Sequence, residues 1–309
     1  MVAVPFFHVT GCFALLCVAA ASGSMIAMMR KWDPEEAFSI IERERITIAG
    51  GVPTIAWQLL EHPARASYDL SSLENITYGG APAAPELVKR LKEVFPNLDP
   101  STGWGMTETS ATFTHFYGKD YENRPASCGL PPPIGQLKVV GEDGQTLPPG
   151  EIGELWARGP NVVKGYWNKP EASAQTFREG WVVTGDMARL DEEGFCFIVD
   201  RAKDMIIRGG ENIYCTEVEA VLFQHPAIMD AALVPCPHHS LGEEPAAVVT
   251  LIPGAAATEA DLRDWVAARL AAYNTPVKVV FWDGPLPRNV NGKILKTELK
   301  KVFAGSEAA

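Results

Sequence analysis

A chain of 309 residues exceeds one typical domain and can bury a large core. Its formal charge of -11 excludes a general nucleic-acid or anionic-membrane binder and leaves room only for local basic clusters. Six cysteines, Cys12, Cys17, Cys128, Cys196, Cys215 and Cys236, are scattered without a CxxC pair, so they read as reduced core residues of a cytoplasmic protein, not a disulfide frame or zinc site.

The N-terminus imitates a targeting segment. From Met1 to Met29 no residue carries a formal charge, and Ala19, Ala20 and Ala21 supply the small residues that precede a signal cleavage site. A basic n-region is lacking, and Pro5, Phe6, Phe7 and His8 interrupt the apolar run, which argues against an anchor and predicts no membrane span. His8, flanked by apolar residues, reads on its own as a half-buried, satisfied core histidine.

Asp33, followed by Pro34 and by Glu36 three positions on, predicts a capped helix with Ala37, Ile40, Ile41 and Glu44 on one face. Ile46 to Ala49 then reads as a buried strand. A further strand, Ile76 to Tyr78, runs into Gly79 and Gly80. Glycines there let the backbone approach a flat ligand, so the segment Gly79 to Ala81 suits either an adenine or an ordinary strand-to-helix turn. A helix follows from Pro85, with Leu87, Val88, Leu91, Val94 and Phe95 at helical spacing. Strand and helix alternate, which predicts a layered, mainly parallel α/β sheet to about residue 124. Within it, Trp104 to Thr109 (WGMTET) concentrates an aromatic face, the Thr107 hydroxyl and the Glu108 carboxylate, a set able to meet a purine, a phosphate oxygen and Mg2+, or to form a plain surface turn.

From about Arg124 the punctuation changes to Pro and Gly, at Pro131 to Pro133, Asp143-Gly144 and Pro148 to Gly150, which predicts short antiparallel strands in a barrel-like subdomain over about 125–200. Its last hairpin has apolar runs at Met187 to Leu190 and Phe195 to Val199, joined by a turn ending in Gly194, with Asp186 and Arg201 just outside its two ends. Antiparallel pairing would bring that carboxylate and guanidinium together, either to hold a sugar diol and a phosphate or as a surface ion pair. Beyond Lys203 the pattern returns to mixed α/β. Thr216 with Glu219 predicts a capping box for a helix to about Gln224, Ala246 to Ile252 a strand, and Thr258 with Asp261 a second capped helix whose Leu262, Trp265, Val266 and Leu270 face the core. The boundary falls at Arg201 to Asp204, giving domains 1–200 and 201–309. Near the end, Lys293, Lys296, Lys300 and Lys301 read by charge alone as solvated lysines.

Four segments carry a resemblance in a fixed order: PFFHVTG at Pro5 to Gly11, WGMTET, the run from Thr184 (TGD) through DEEGF to VDRAKDMIIRGGEN, and NGKILK at Asn291 to Lys296. Together they resemble the adenylate-forming superfamily, in its acyl-CoA synthetase branch. The resemblance implies the remainder of a large α/β domain with its barrel-like subdomain, followed by a mobile α+β C-terminal domain. It also implies an ATP-dependent carboxylic acid–CoA ligase using ATP/AMP, Mg2+ and CoA, with a small-molecule acid as partner and no nucleic acid. The implied nucleotide set is Gly79, Gly80, Ala81, Trp104, Gly105, Met106, Asp186 and Arg201. Thr107, Glu108 and Lys293 are the implied catalytic residues, with Glu108 on the metal. His8 and Gly105 would line the acyl side, Gly209 and Gly210 the CoA passage, and Lys203 would be the hinge. PFFHVTG would be a strand-to-helix motif, and the alanine-rich segment after it a buried helix. Glycine at 105 leaves room for a medium- or long-chain fatty acid or an aryl acid.

Two features shape the alternatives. No Ser/Thr/Gly-rich loop ending in a Pro-Lys pair occurs among these residues, so the chain is expected to be the C-terminal part of a longer enzyme, or a non-catalytic fragment. A peptide-synthetase adenylation domain would carry Asp where His8 stands, which favours an acid without an amino group. The C-terminal Ser306-Glu307-Ala308-Ala309 is not a peroxisomal address.

Overall fold

The computed structural model describes residues 1, 4–80, 85–289 and 293–303. By its internal contacts the chain divides into Met1–Ile198 and Val199–Ala309, each with its own sheets and cores.

In the first unit Asp33 accepts the Glu36 N–H at 2.9 Å and Pro34 opens the helix Pro34–Glu44. Ala37, Phe38, Ile40 and Ile41 are buried, while Glu44 is exposed and takes no part in the buried face. Arg45, in the left-handed conformation, ends the helix by turning the Ile46 N–H back onto the Ile41 carbonyl. Ile46 is therefore buried as part of a helix stop, and the strand begins two residues later, at Ile48–Gly51. That strand, Asn75–Gly79 and Asp99–Gly103 run parallel, and Phe116–Tyr117 closes the sheet antiparallel. Helices Pro53–Glu61 and Pro85–Val94 supply the crossovers, and Leu59, Leu87 and Leu91 join the core against Ile76 and Tyr78.

The N-terminal helix forms, but its burial does not. Thr10–Cys17 winds as a π-helix and continues as the α-helix Val18–Ser22, yet of these residues only Gly11 is buried. Phe13 and Val18 are 50% and 58% exposed, because apolar side chains spread all round the helix and its principal partner is the two-residue strand Ala111–Thr112. Among the described residues no helix is long and apolar enough to cross a membrane.

A curled antiparallel half-barrel follows, with Cys196–Arg201, Trp181–Leu190, Gly153–Arg158 and Gln136–Val140 in that spatial order. Its core holds Val139, Leu155, Ala157, Val182 and Ala188, with Trp104 and Phe113. The hairpin turn is set by Asp191, whose carboxylate accepts the Glu193 and Phe195 N–H groups, and by Gly194 at φ +85°.

In the second unit, Glu211–Ile213, Ile206–Arg208, Gly242–Leu251 and Ile228–His238 form an antiparallel sheet, and Lys278–Phe281 adds a parallel edge. Strand alternation sends Ala231, Leu233, Ala247 and Val249 into one core with the helices Cys215–Phe223 and Glu259–Ala267. Ala232, Val234, Ala246 and Val248 go into another, with Leu299 and Phe303 of the C-terminal segment. The capping box of Thr258 and Asp261 forms in both directions. That of Thr216 and Glu219 does not, because the helix already begins at Cys215. Thr216 donates to the Val199 carbonyl, and Glu219 is turned inward. Asp200 instead accepts the Cys215 N–H, the first of the helix. Among the described residues no two cysteines are joined in a disulfide.

Candidate active site

Gly79 and Gly103 end neighbouring parallel strands and are paired in register, so Gly80 and Trp104 emerge side by side at the carboxyl edge of the sheet. Ligands of open α/β sheets bind at that edge. A Cβ on Gly79 would come within 3.0 Å of the Gly103 carbonyl oxygen, and Gly80 adopts φ +77°. Ala81 lies outside the described residues.

Asp186 reaches this region through a distortion in its own strand. The register of Trp181–Leu190 against Gly153–Arg158 shifts between Val183 and Met187, and Gly185, in the middle, has φ +69°. Such a bulge re-aims the side chain that follows. Thr184 stabilises it by donating to the Leu155 carbonyl at 2.6 Å and accepting the Asp186 N–H at 3.1 Å. The Asp186 carboxylate is 2% exposed and accepts the Trp104 indole N–H at 2.7 Å. Asp186 thus lies within a strand and not outside the hairpin's end, and the same holds for Arg201 in Cys196–Arg201.

Trp104 is largely sealed, its ring edge-on to Phe113 at 6.2 Å between centroids. The next residue, Gly105, pairs with Thr112, and a Cβ there would lie 1.8 Å from the Ala111 carbonyl oxygen. The close backbone approach by itself requires glycine, whatever else the position borders. Met106 leads into the short 3-10 turn Thr107–Thr109, where the Thr109 hydroxyl accepts the Met106 N–H. Thr107 is exposed. Glu108 accepts the Tyr166 phenol on Oε1 at 2.5 Å, while its carbonyl accepts the Val163 N–H. Burial pushes the Tyr166 phenol up, and the Glu108 contact adds to it. Among the described residues no three His, Cys, Asp or Glu side chains are grouped to hold a metal ion. Glu108 is a lone hard-oxygen donor, the kind of ligand Mg2+ uses when waters and phosphate oxygens complete its shell.

His8 is half-buried, and its Nδ1 accepts the Thr10 N–H at 3.3 Å at the start of the N-terminal helix.

The other expected site residues belong to the second unit. Arg201 donates its backbone N–H to Asp200 at 2.7 Å, and its carbonyl accepts the Asp204 and Met205 N–H groups, so Lys203 sits exposed in a tight turn. Gly209 and Gly210, at φ +57° and +95°, form the two-residue turn between Ile206–Arg208 and Glu211–Ile213, where only residues tolerating positive φ fit without strain. Lys293 is half-buried, its N–H held by the Asn289 side chain at 3.0 Å. Asn291 and Gly292 lie outside the described residues. Lys296 departs from expectation. It is not a surface lysine but pairs with Glu219 at 2.7 Å, each side chain 16% exposed.

Sequence reading missed Thr184, Tyr166 and Glu219. Thr184 sat inside a recognised motif, and its hydroxyl could have been flagged as the bulge's internal partner. Tyr166 is distant in sequence from the residue it holds and gives no local signal, and the local signal of Glu219 is its spacing from Thr216, which points to a cap and not to its partner Lys296.

The chain matches the AMP-binding enzyme family over residues 1–167 and the AMP-binding enzyme C-terminal domain over residues 217–293. It is 38% identical over 303 residues to a feruloyl-CoA synthase of an Amycolatopsis species, covering 98% of this chain and 61% of that protein. To a long-chain-fatty-acid–CoA ligase of Bacillus subtilis it is 41% identical over 299 residues, covering 96% and 52%. Its fold resembles the o-succinylbenzoate CoA synthetase of Bacillus subtilis in complex with its acyl-adenylate intermediate, with TM-score 0.87 and 33% identity over 97% of this chain and 60% of that one. It also resembles an amide bond synthetase of Marinactinospora thermotolerans, with TM-score 0.85 and 34% identity over 92% and 57%. The chain spans between about half and three-fifths of the length of these curated relatives.

Proposed function

The chain belongs to the AMP-binding enzyme family, and from that premise we propose that it carries the adenylate-binding and C-terminal parts of an ATP-dependent acid–CoA ligase. The observation that carries the proposal is the bulge of Thr184 to Asp186, which aims a buried carboxylate, hydrogen-bonded to Trp104, at the carboxyl edge of the sheet beside Gly79 and Gly80. A carboxylate is a poor electrophile. The acid oxygen therefore attacks the α-phosphorus of ATP, pyrophosphate leaves, and an acyl-adenylate forms. The thiol of CoA then attacks the acyl carbon, AMP leaves, and the thiol proton passes to solvent as the thioester forms.

Asp186 accepts the ribose hydroxyls, and Gly79 to Ala81 with Trp104 to Met106 enclose the adenine. Arg201 contacts the nucleotide. Thr107 donates to an α-phosphate oxygen. Mg2+ on Glu108 would neutralise phosphate charge, with Tyr166 holding that carboxylate in one orientation. Lys293, a compact ammonium, offsets charge as it passes between the acid and the α-phosphate. His8 and Gly105 border the acyl side, Gly209 and Gly210 the CoA passage, and Lys203 is the pivot between the two half-reactions. The acid is a medium- or long-chain fatty acid or an aryl acid. In a second reading an amine takes the place of CoA, favoured by the likeness to an amide bond synthetase. Supplying acyl-adenylate with either acceptor separates the two.

The test is calorimetric titration with AMP. Asp186→Asn keeps the shape but not the charge, and weakens binding by about 1–3 kcal/mol. Equal affinity in wild type and variant would remove Asp186 from the ribose and the proposal with it.

A further inference from the structure

The last helix, Lys296–Lys300, opens on a residue that is held as few lysines are. The Lys296 ammonium lies 2.7 Å from Glu219 Oε1 with both side chains largely buried. Glu219 projects from the helix Cys215–Phe223, and its Oε1 also accepts the Leu233 N–H at 2.8 Å. Burial works against the charge on Lys296, yet Glu219, Cys215 and Asp200 outweigh it and push the ammonium up.

Lys293 lies three residues upstream, on one of two facing legs, 287–289 and 293–295. Arg288 and Ile294 form an antiparallel bridge, the Asn289 N–H donates to the Lys293 carbonyl at 2.9 Å, and the Leu295 N–H donates to the Pro287 carbonyl at 2.8 Å. On the opposite leg Arg288 is ion-paired to Asp230, on the edge strand Ile228–His238. One ion pair thus lies on the first leg and the other immediately after the second, one tied to a strand and one to a helix of the second unit. Pairs taken out of water add little net stability compared with apolar packing, and their best-attested use is to fix a register.

We propose that Lys296 and Arg288, through Glu219 and Asp230, are positioning residues that hold the hairpin bearing Lys293 at a fixed height and angle on the second unit. The proposal rests on the role given to Lys293 above, where a displacement of about 1 Å of a charge-stabilising group costs on the order of a hundredfold in rate.

The experiment measures amide hydrogen exchange of the whole chain. Lys296→Met alone leaves Glu219 buried and unpaired and can prevent folding, so the informative variant is Glu219→Gln with Lys296→Met, which removes both charges and keeps the acceptor for Leu233. The Asn289, Lys293 and Leu295 amides should exchange at least about tenfold faster than in wild type, with those of Gly242–Leu251 unchanged. Lys296→Arg, which retains the charge, should restore protection. In parallel, acid-dependent pyrophosphate release should fall about ten- to a hundredfold with the KM for the acid unchanged, while thioester formation from supplied acyl-adenylate and CoA keeps its rate. Unchanged exchange at the three hairpin amides overturns the proposal, and so does equal slowing of both half-reactions. If wild type, supplied with a segment bearing the phosphate loop, performs neither half-reaction, the ligase reading falls by itself, and the exchange data still decide whether the pairs hold the hairpin.

Discussion

At Gly105 two demands meet on one residue. The position borders the proposed acyl side, but the strand pair of Gly105–Met106 with Ala111–Thr112 presses it so closely on the Ala111 carbonyl that a single added carbon would sit 1.8 Å away. Ser110 and Ala111 both adopt positive φ in that turn. Gly105→Ala should therefore act first on stability, lowering it by about 1–3 kcal/mol through forced backbone movement. Urea unfolding followed by fluorescence measures this, and an unchanged midpoint would show that the turn can yield. The same stretch shows what was legible at this scale. Trp104, Glu108 and Asp186 stand out as candidate site residues because their motifs are local. That Trp104 and Asp186 bond to each other was not, since the contact depends on a bulge whose register only the partner strand Gly153–Arg158 defines. Lys296 was misjudged for the same reason, its partner Glu219 being remote in sequence.

Among the elements, two helices of the second unit begin with the same Thr-x-x-acid spacing and behave differently. Thr258 precedes its helix in an exposed loop and exchanges hydrogen bonds with Asp261, whose carboxyl those bonds hold below the usual range. Thr216 lies inside its helix, because Asp200 takes the Cys215 N–H and starts the helix earlier. Burial pushes the Asp200 carboxyl up, and the bonds from Arg201 and Cys215, with the charge of Lys296, only partly offset this. Capping patterns are thus readable where no tertiary group competes for the first N–H, and unreadable where one does. Thr258→Ala should cost about 1 kcal/mol of stability. The loss should be seen at neutral pH and shrink as acid protonates Asp261, because a carboxyl with a depressed folded-state pKa contributes stability above its unfolded value and loses it as pH falls. Thermal unfolding of wild type and variant at neutral and acid pH is the measurement, and a pH-independent difference would show that the bond from the Thr258 hydroxyl to the Asp261 carboxylate adds nothing to the cap. The layered sheet was legible from alternation of strands and helices. The exposure of the N-terminal helix was not, since composition reports apolarity and not what covers it.

For the molecule as a whole, the division into two units separates the proposed chemistry into a nucleotide-holding set, with Gly79, Trp104, Glu108 and Asp186, and a second set with Lys293, Gly209 and Gly210. Within the second unit, Lys293 and the glycine pair occupy different hairpins, one bridged at Arg288 and Ile294, the other formed by Ile206–Arg208 and Glu211–Ile213. Adenylation asks for a positive charge beside the acid and the α-phosphate, whereas thioester formation asks for a narrow passage to the same carbonyl. Two hairpins that serve these tasks in turn should be separable by mutation. Lys293→Ala removes the charge and should slow acid-dependent pyrophosphate release about a hundred- to a thousandfold. It should leave the attack of CoA on supplied acyl-adenylate near its wild-type rate. For the passage, Gly210→Leu is a poor probe, because leucine at φ +95° strains the turn. Gly210→Asn tolerates the left-handed backbone and still adds a side chain. It should slow thioester formation and raise the KM for CoA, with AMP affinity unchanged. Paired half-reaction assays on both variants measure this, and if each variant slows both halves to the same extent, the two hairpins do not act in turn and the glycine pair is only a turn-former.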